Sequence, residues 1–260
     1  MSAFDKVCAA RAKGRPTGMD FINNIFQDFV ELHGDRRFGD DKAVVTGIAR
    51  LNGMPVTVVA LEKGHDTKEK IARNFGSAHP EGYRKALRQM QLAEKFGRPV
   101  ICFVDTSGAY CGIAAEERGQ GQAIAENLMQ MMTLEVPVIS ILIGEGGSGG
   151  ALALAVADEV WMLENSVYSV ISPEGCASIL WKDSKKIKEA SECLKLTADD
   201  LLQLGVIETI IRESGKDFLK TYQKLNQRLC ATLTKNRQLP PKELVAKRYG
   251  RFRKFGEIFE

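Results

Sequence analysis

The stretch VPVISILIGEGGSGGALALAVADEV, residues 136–160, decides the fold. Its apolar run, 138–143, has the length and the Val/Ile content of a strand buried on both faces. Gly144, Gly146, Gly147, Gly149 and Gly150 follow, and the small apolar residues 151–157 then read as a helix. A strand that runs through glycines into a helix start leaves backbone N–H groups free at one point. Such groups hold negative charge, because the first helical turn offers them no internal carbonyl and carries the positive end of the dipole. The stretch reads as an anion or oxyanion site built from backbone.

Two further segments share its pattern. MPVTVVAL (54–61) and RPVICFVD (98–105) repeat the Pro-Val start and the apolar run of VPVISILI (136–143). Helical segments fill the gaps, at 80–96 and 114–134, the second with an apolar stripe of Ile124, Leu128, Met131 and Met132. Buried strands alternating with helices make an α/β fold with parallel strands. Ahead of the repeat, residues 19–33 carry apolar side chains at helical spacing, with Asp20 as the cap and Gly34 as the stop. Asn52-Gly53 is a hairpin signal between strands at 43–50 and 55–61. Downstream lie strands at 160–163 and 167–171, then a short helix capped by Ser172-Pro173-Glu174. A helix at 198–204 stopped by Gly205, a strand at 206–211, an amphipathic helix at 216–235 and a basic tail at 240–260 complete the chain. No low-complexity linker interrupts it. Residues 1–260 therefore read as one domain, with helical segments at 1–35 and 213–260 around a core at 36–212.

The 260 residues, 44% hydrophobic and 27% charged, suit a soluble globular protein, and a net charge of +3 is too small to argue for nucleic acid. The six cysteines show no CxxC and no metal-ligand spacing with histidine, so they read as free thiols in a reducing cytosol. No apolar stretch approaches the ~20 residues of a membrane-spanning helix, and the N-terminus lacks a signal core. The expected location is the cytoplasm, with no membrane partner.

The glycine turn meets three readings. A Walker loop needs lysine where Gly150 stands, which excludes it. Residues 144–149 match the dinucleotide fingerprint GxGxxG, and Glu164 falls about 20 residues on, where a ribose-binding acid belongs. Against that match, the following helix has room for only about two turns. The third reading is an oxyanion hole made by the N–H groups of Gly149 and Gly150, glycine being required where a carbonyl approaches the backbone. The turn DTSGAYCG (105–112) has the same placement after its strand; Gly108 and Gly112 allow close approach, and Asp105 caps the turn. Glu116 and Glu117 read as a solvated helix start. The basic turn at 63–73, with Lys63, Lys68 and Arg73, reads as a solvated face, with phosphates or an acidic partner as the alternative. No histidine sits beside a serine or cysteine nucleophile, so a triad is not expected. The tail interleaves Arg248, Arg251 and Arg253 with Tyr249, Phe252 and Phe255, which suits basic side chains snorkelling over a partner surface, with nucleic acid as the alternative.

Six stretches taken together resemble, in family order, the α subunits of the bacterial-type acetyl-CoA carboxylase carboxyltransferases. They are DDKAVVTGIARLNG (40–53), KGHDTKEKIARNFG (63–76), PEGYRKALRQMQLAEKF (80–96), DTSGAYCGIAAEERGQ (105–120), GEGGSGGALAL (144–154) and YSVISPEGCASILWK (168–182). Ser107 and Cys111 stand where members of that family commonly carry proline. The resemblance implies a crotonase-like (ClpP/crotonase) superhelix of repeated ββα units with helical N- and C-terminal segments. It implies transfer of a carboxyl group from carboxybiotin on a carrier protein to acetyl-CoA, giving malonyl-CoA for fatty acid synthesis. In that reaction Gly149 and Gly150 donate N–H bonds to the biotin ureido oxygen. The ureido anion left behind takes the acetyl proton, so no side-chain base is required. Gly108, Ala109, Tyr110, Gly112, Gly146 and Gly147 are then substrate-binding, and Lys63, Lys68 and Arg73 are candidates for contact with CoA or a partner. The implied partner is a β subunit carrying a four-cysteine zinc ribbon, in an α2β2 complex that works with biotin carboxylase and biotin carboxyl carrier protein. This chain is expected to hold no metal and no covalently bound cofactor, and to be inactive alone. Valine at Gly149 or Gly150 is expected to stop transfer while leaving assembly intact. Another acyl-CoA substrate, and a dinucleotide-dependent oxidoreductase, stay as alternatives.

Overall fold

The structure, a computed structural model, describes residues 1–215 and 217–256. The Pro-Val repeat becomes its centre. β3 (Met54–Leu61), β4 (Val100–Thr106) and β5 (Val138–Gly147) lie side by side in parallel, with Val100 level with Val138 and Thr57 level with Val100. Proline opens each segment because its missing N–H costs nothing at a strand start. The carbonyls there stay useful: Pro99 O accepts from Thr57 N at 2.9 Å and Pro137 O from Val100 N at 2.8 Å. On one side β2 (Val44–Leu51) and β1 (Gln27–Glu31) extend the sheet antiparallel. On the other, β6 (Glu159–Leu163) and β8 (Thr209–Ile211) extend it in parallel, while β7 (Val167–Ser169) pairs with the far end of β5. The fold is α/β, a mostly parallel sheet with helical segments at both ends of the chain.

Both faces of the sheet are covered, which is why its strands are apolar throughout rather than alternating. Val59, Leu61, Cys102, Val104, Val138 and Leu142 pack with α4 (Pro80–Lys95) and α6 (Gln120–Thr133). Val58, Ala60, Ile101, Phe103, Ile139 and Ile141 pack with α2 (Gly18–Ile25) and α11 (Leu219–Asn236). Around this sandwich lie α1 (Ala3–Ala10), α3 (Thr67–Ala72), α5 (Ile113–Glu117), α7 (Ser148–Leu152), α8 (Pro173–Trp181), α9 (Ile187–Cys193), α10 (Ala198–Gln203) and α12 (Pro241–Arg253). Asn52 and Gly53, both at positive φ (48° and 83°), turn β2 into β3 as a primed hairpin requires.

Several elements depart from the sequence expectation. Residues 19–33 form α2 and then β1, not one helix. The open edge of β2 has backbone groups to satisfy, and it recruits this segment: Leu32 N donates to Thr46 O at 2.7 Å. Phe29 packs where a Cβ on Gly47 would sit, so β1 depends on that glycine. Asp20 is not the cap of α2; its carboxylate reaches back to Thr17 N at 2.8 Å as the far half of a capping box. The helix expected at 114–134 breaks into α5 and α6 at Gly119, which is left-handed (φ 81°). The strand at 206–211 shortens to β8. Of the helix expected at 216–235 and the tail at 240–260, Lys216 and residues 257–260 lie outside the described residues.

The basic tail holds the largest surprise. Arg248 is fully buried, not snorkelling at a surface. Its guanidinium donates to both carboxylate oxygens of Asp158, at 2.8 and 3.0 Å, and to the carbonyls of Met131, Leu134 and Val136 at 2.7–3.0 Å. It thus satisfies the carbonyls of Met131 and Leu134 at the C-terminus of α6, which have no internal partners, together with that of Val136 beyond it, and clamps α12 to the sheet. Burial pushes the Asp158 carboxyl up, and Arg248 opposes that shift. Arg248→Ala leaves the buried Asp158 carboxylate without its counter-charge, holding only Val138 N, and takes the donor from three carbonyls. It is expected to lower stability by about 3–5 kcal/mol, read by chemical denaturation.

Candidate active site at the end of β5

β5 changes partner partway along. Residues 138–142 pair with β4 and β6, whereas Glu145, Gly146 and Gly147 pair with Val167, Tyr168 and Ser169 of β7. The switch happens at Gly144, against which the Asp105 side chain packs. Between Val104 and Thr106 the β4–β5 register jumps from Leu142 to Gly146. The glycines at 144, 146 and 147 therefore lie in a bent strand, not in a turn as the sequence suggested. The helix also starts earlier and is shorter than expected. α7 spans five residues from Ser148, with Gly149 and Gly150 inside its first turn.

Those two residues differ sharply. A Cβ on Gly150 would sit inside the backbone of the 106–112 loop, against Ala109 N and 2.8 Å from Gly108 C. Gly147 is in the same position against Ser107 and Gly108. Gly149 meets nothing nearer than Ile124 at 3.8 Å. Its N–H and that of Gly150, in the first turn of α7, have no carbonyl within the helix and no side-chain cap. Two adjacent backbone donors are thus left without a partner inside the helix. A five-residue helix adds little macrodipole, so the N–H groups themselves carry whatever attraction the site has for an anion. Ser148 joins them, exposed and at φ 48°, a backbone region that serine rarely adopts.

The loop pressed onto α7 is held in turn. Thr106 Oγ1 accepts from Gly108 N and donates to Gly108 O. Gln120 Nε2 donates to Tyr110 O and Ala78 O, and the Tyr110 ring stacks on His79 with centroids 4.4 Å apart. Gly112 caps α5, and its missing Cβ makes room for the Tyr110 ring. Gly108, Ala109 and Gly147 are therefore brought to one junction with Gly150, whereas Gly112 packs only on the Tyr110 ring and Gly146 faces Leu142 and Tyr168. Tyr83, which sequence spacing marks only as part of the apolar face of α4, reaches it too: its buried hydroxyl donates to Gly150 O at 3.3 Å. Burial raises the phenol's pKa, so it stays protonated.

Lys63 is not on a solvated basic face. Its ammonium sits between Asp105, at 2.6 Å, and Glu145, at 2.9 Å. Asp105 also accepts Glu145 N at 2.8 Å, so it ties strand ends together rather than capping a turn. Arg11, at the end of α1, extends the network to Glu145 at 2.7 Å and to Glu174 of α8 at 2.6 Å. Burial disfavours the Lys63 charge, but Asp105 and then Glu145 outweigh it and hold its pKa above the ordinary lysine value. Lys68 is exposed on α3, and Arg73 donates to Lys42 O at 2.9 Å, so neither joins this junction. A cavity of about 310 Å³ lies on the Lys63 side, lined by Arg15, Lys70, Phe75 and Ser107 among others.

The dinucleotide reading fails on this geometry. Its glycines are strand residues, its helix is one turn long, and Glu164 pairs with Arg212 at 2.7 Å beyond β6. Among the described residues no group of three or more His, Cys, Asp or Glu side chains is placed to hold a metal ion.

Comparison with known proteins gives the class first. The fold is that of the crotonase-type carboxyltransferases: transcarboxylase 12S, solved with methylmalonyl-coenzyme A and methylmalonic acid bound, superposes with a TM-score of 0.70 at 22% identity. The match takes in 87% of this chain and 44% of that one, so the chain spans less than half of that protein. The family model for acetyl co-enzyme A carboxylase carboxyltransferase-like proteins matches residues 1–256, and the chain belongs to that family. The acetyl-coenzyme A carboxylase carboxyl transferase subunit alpha of Ruminiclostridium cellulolyticum is 68% identical over 258 residues, 99% of each chain. A Natranaerobius thermophilus protein named as subunits beta/alpha is 57% identical and contains the whole of this chain within 44% of its length.

The two glycines separate in a stability measurement. Gly150→Ala must push the 108–109 backbone aside and is expected to cost about 2–3 kcal/mol. Gly149→Ala is expected to change stability by less than about 1 kcal/mol, because nothing occupies that space and alanine favours a helix. Chemical denaturation of the two variants checks both figures.

Proposed function

We propose that Gly149 and Gly150 donate their N–H groups to the ureido oxygen of carboxybiotin while its carboxyl group passes to acetyl-CoA. The chain is the α-type subunit of a carboxyltransferase that makes malonyl-CoA together with a β subunit. One observation carries the assignment of the donors: the N–H groups of Gly149 and Gly150 stand side by side in the first turn of α7 with no partner inside the helix and no side-chain cap. Negative charge grows on the ureido oxygen as the carboxyl group leaves. Two fixed donors aimed there need not reorganise, and each contributes about 3 kcal/mol to lowering the barrier. No side-chain base is needed at the junction, and the Tyr83 phenol, held neutral, supports the Gly150 carbonyl instead.

The remaining parts of the reading follow from the same family. The carboxyl donor is biotin on a carrier protein, the complex is an α2β2 assembly served by biotin carboxylase, and zinc belongs to the β subunit. The whole chain acts as one carboxyltransferase domain, supported by the clamps that tie both ends to the sheet: Lys6 to Glu164 O and Asn165, Arg15 to Ile143 O and Glu213, and Arg248 to Asp158. The setting is the cytoplasm, supported by cysteines that are all free and by the absence, among the described residues, of any helix long and apolar enough to cross a membrane. The last turn of α8 leaves Ile179 and Leu180 each 66% exposed and Trp181 partly so, an apolar surface of the kind a partner subunit covers.

Two experiments test this. Gly149→Val, co-expressed with the β subunit, is expected to lower malonyl-CoA-dependent carboxylation of biotin by about 100-fold or more while the complex still assembles. Normal turnover would defeat the donor assignment. Leu180→Asp is expected to weaken co-purification with the β subunit by about 10-fold without altering the fold of the α chain, judged by circular dichroism.

A further inference from the structure

We infer that Lys63 is a positioning residue for the glycine donors, acting through the strand ends that it joins. The inference rests on the reading of Gly149 and Gly150 as donors.

Three strands end near this point, and Lys63 lies two residues beyond the end of β3. Its ammonium bridges Asp105 of β4 and Glu145 of β5 at 2.6 and 2.9 Å. Asp105 immediately precedes the loop at 106–112, and Glu145 lies four residues before Gly149. Those are the two segments whose backbones meet at Gly147 and Gly150. One ammonium therefore joins both halves of the junction from below. The stem of Lys63 is fixed as well. The turn at residues 74–76 closes over it, with Gly76 at φ 77° and its Cβ position only 2.7 Å from Lys63 Cγ and 2.9 Å from Asp105 O. Asp105 and Glu145 are 8% and 13% exposed, so water does little to screen the three charges. Arg11 supports Glu145 from α1 but does not touch Asp105; among the described residues Lys63 is the cation that reaches both carboxylates, beside the direct bond from Glu145 N to Asp105 at 2.8 Å.

Removing the ammonium leaves the ends of β4 and β5 held by the single bond from Glu145 N to Asp105, with two carboxylates now repelling each other across it, and so loosens the alignment of the donors. Misplacement of about 1 Å at a reacting centre costs up to ~100-fold in rate. Lys63→Met in the α–β complex is expected to lower kcat about 10- to 100-fold, with KM for biotin and malonyl-CoA unchanged within about 2-fold. That variant also leaves Asp105 without its counter-charge, so loss of folding must be separated from loss of alignment. Lys63→Met/Asp105→Asn does this. Asparagine still accepts Glu145 N, and Glu145 keeps Arg11, so the double variant is expected to regain the wild-type Tm and complex yield while kcat stays low. Lys63→Arg, able to span both carboxylates, is expected to keep most of kcat. Recovery of kcat in step with Tm in the double variant, or an unchanged kcat in Lys63→Met, overturns the inference. Gly149→Val assayed alongside distinguishes the two readings. Turnover that survives there removes the donor assignment itself; turnover lost there but intact in Lys63→Met removes only the positioning role.

Discussion

Backbone packed directly on backbone governs this site. The segment 107–109 lies where side chains at positions 147 and 150 would have to go, so the loop after β4 and the start of α7 meet without a side chain between them. That contact is rigid because it has no rotamers to lose and nothing to compress. It fixes the direction of the first-turn N–H groups, while Gly149, facing away from the contact, keeps its space. Close packing at Gly147 and Gly150 and a less crowded Gly149 are thus two consequences of the same run of glycines, divided residue by residue.

The bend in β5 makes the contact possible. A strand that leaves one ladder for another must pass a point where its neighbours no longer match, here the register jump opposite Asp105. At such a point backbone groups lose ladder partners, and side chains take over: Asp105 accepts Glu145 N, and Lys63 and Arg11 neutralise the carboxylates gathered there. Burial works against the ionised Glu145, and Lys63 and Arg11 more than offset it, holding its carboxyl below the usual range. The charges at the strand ends are a response to the topology before they are anything else.

Much of this was legible in the sequence. The three Pro-Val segments named the three central strands, because a strand buried on both faces shows its whole length as an apolar run. The hairpin at Asn52-Gly53 and the cap at Ser172 were equally plain, since both depend on local backbone chemistry. Periodicity misled at residues 19–33, where Phe29 and Val30 have helical spacing but are drawn into β1 by the edge of β2, with Leu32 bonded to it just beyond the strand end. It gave no sign that Lys63 and Arg248 are interior residues, because their partners, Asp105, Glu145 and Asp158, come from distant strands. In the candidate site, the glycine cluster and the loop at 105–112 could be found by eye. The unequal surroundings of Gly149 and Gly150 could not, because what crowds one of them is a different part of the chain.

Ser148 stands between the crowded glycines and the open one, in a left-handed conformation that a glycine would adopt without penalty. Holding an L-residue there costs about 1 kcal/mol. Every neighbour from Gly146 to Gly150 is glycine, so the protein has the simpler solution on either side and does not use it here. The molecule gives up that much stability to keep an exposed hydroxyl between Gly147 and Gly149, and drift toward comfort at this position would remove it.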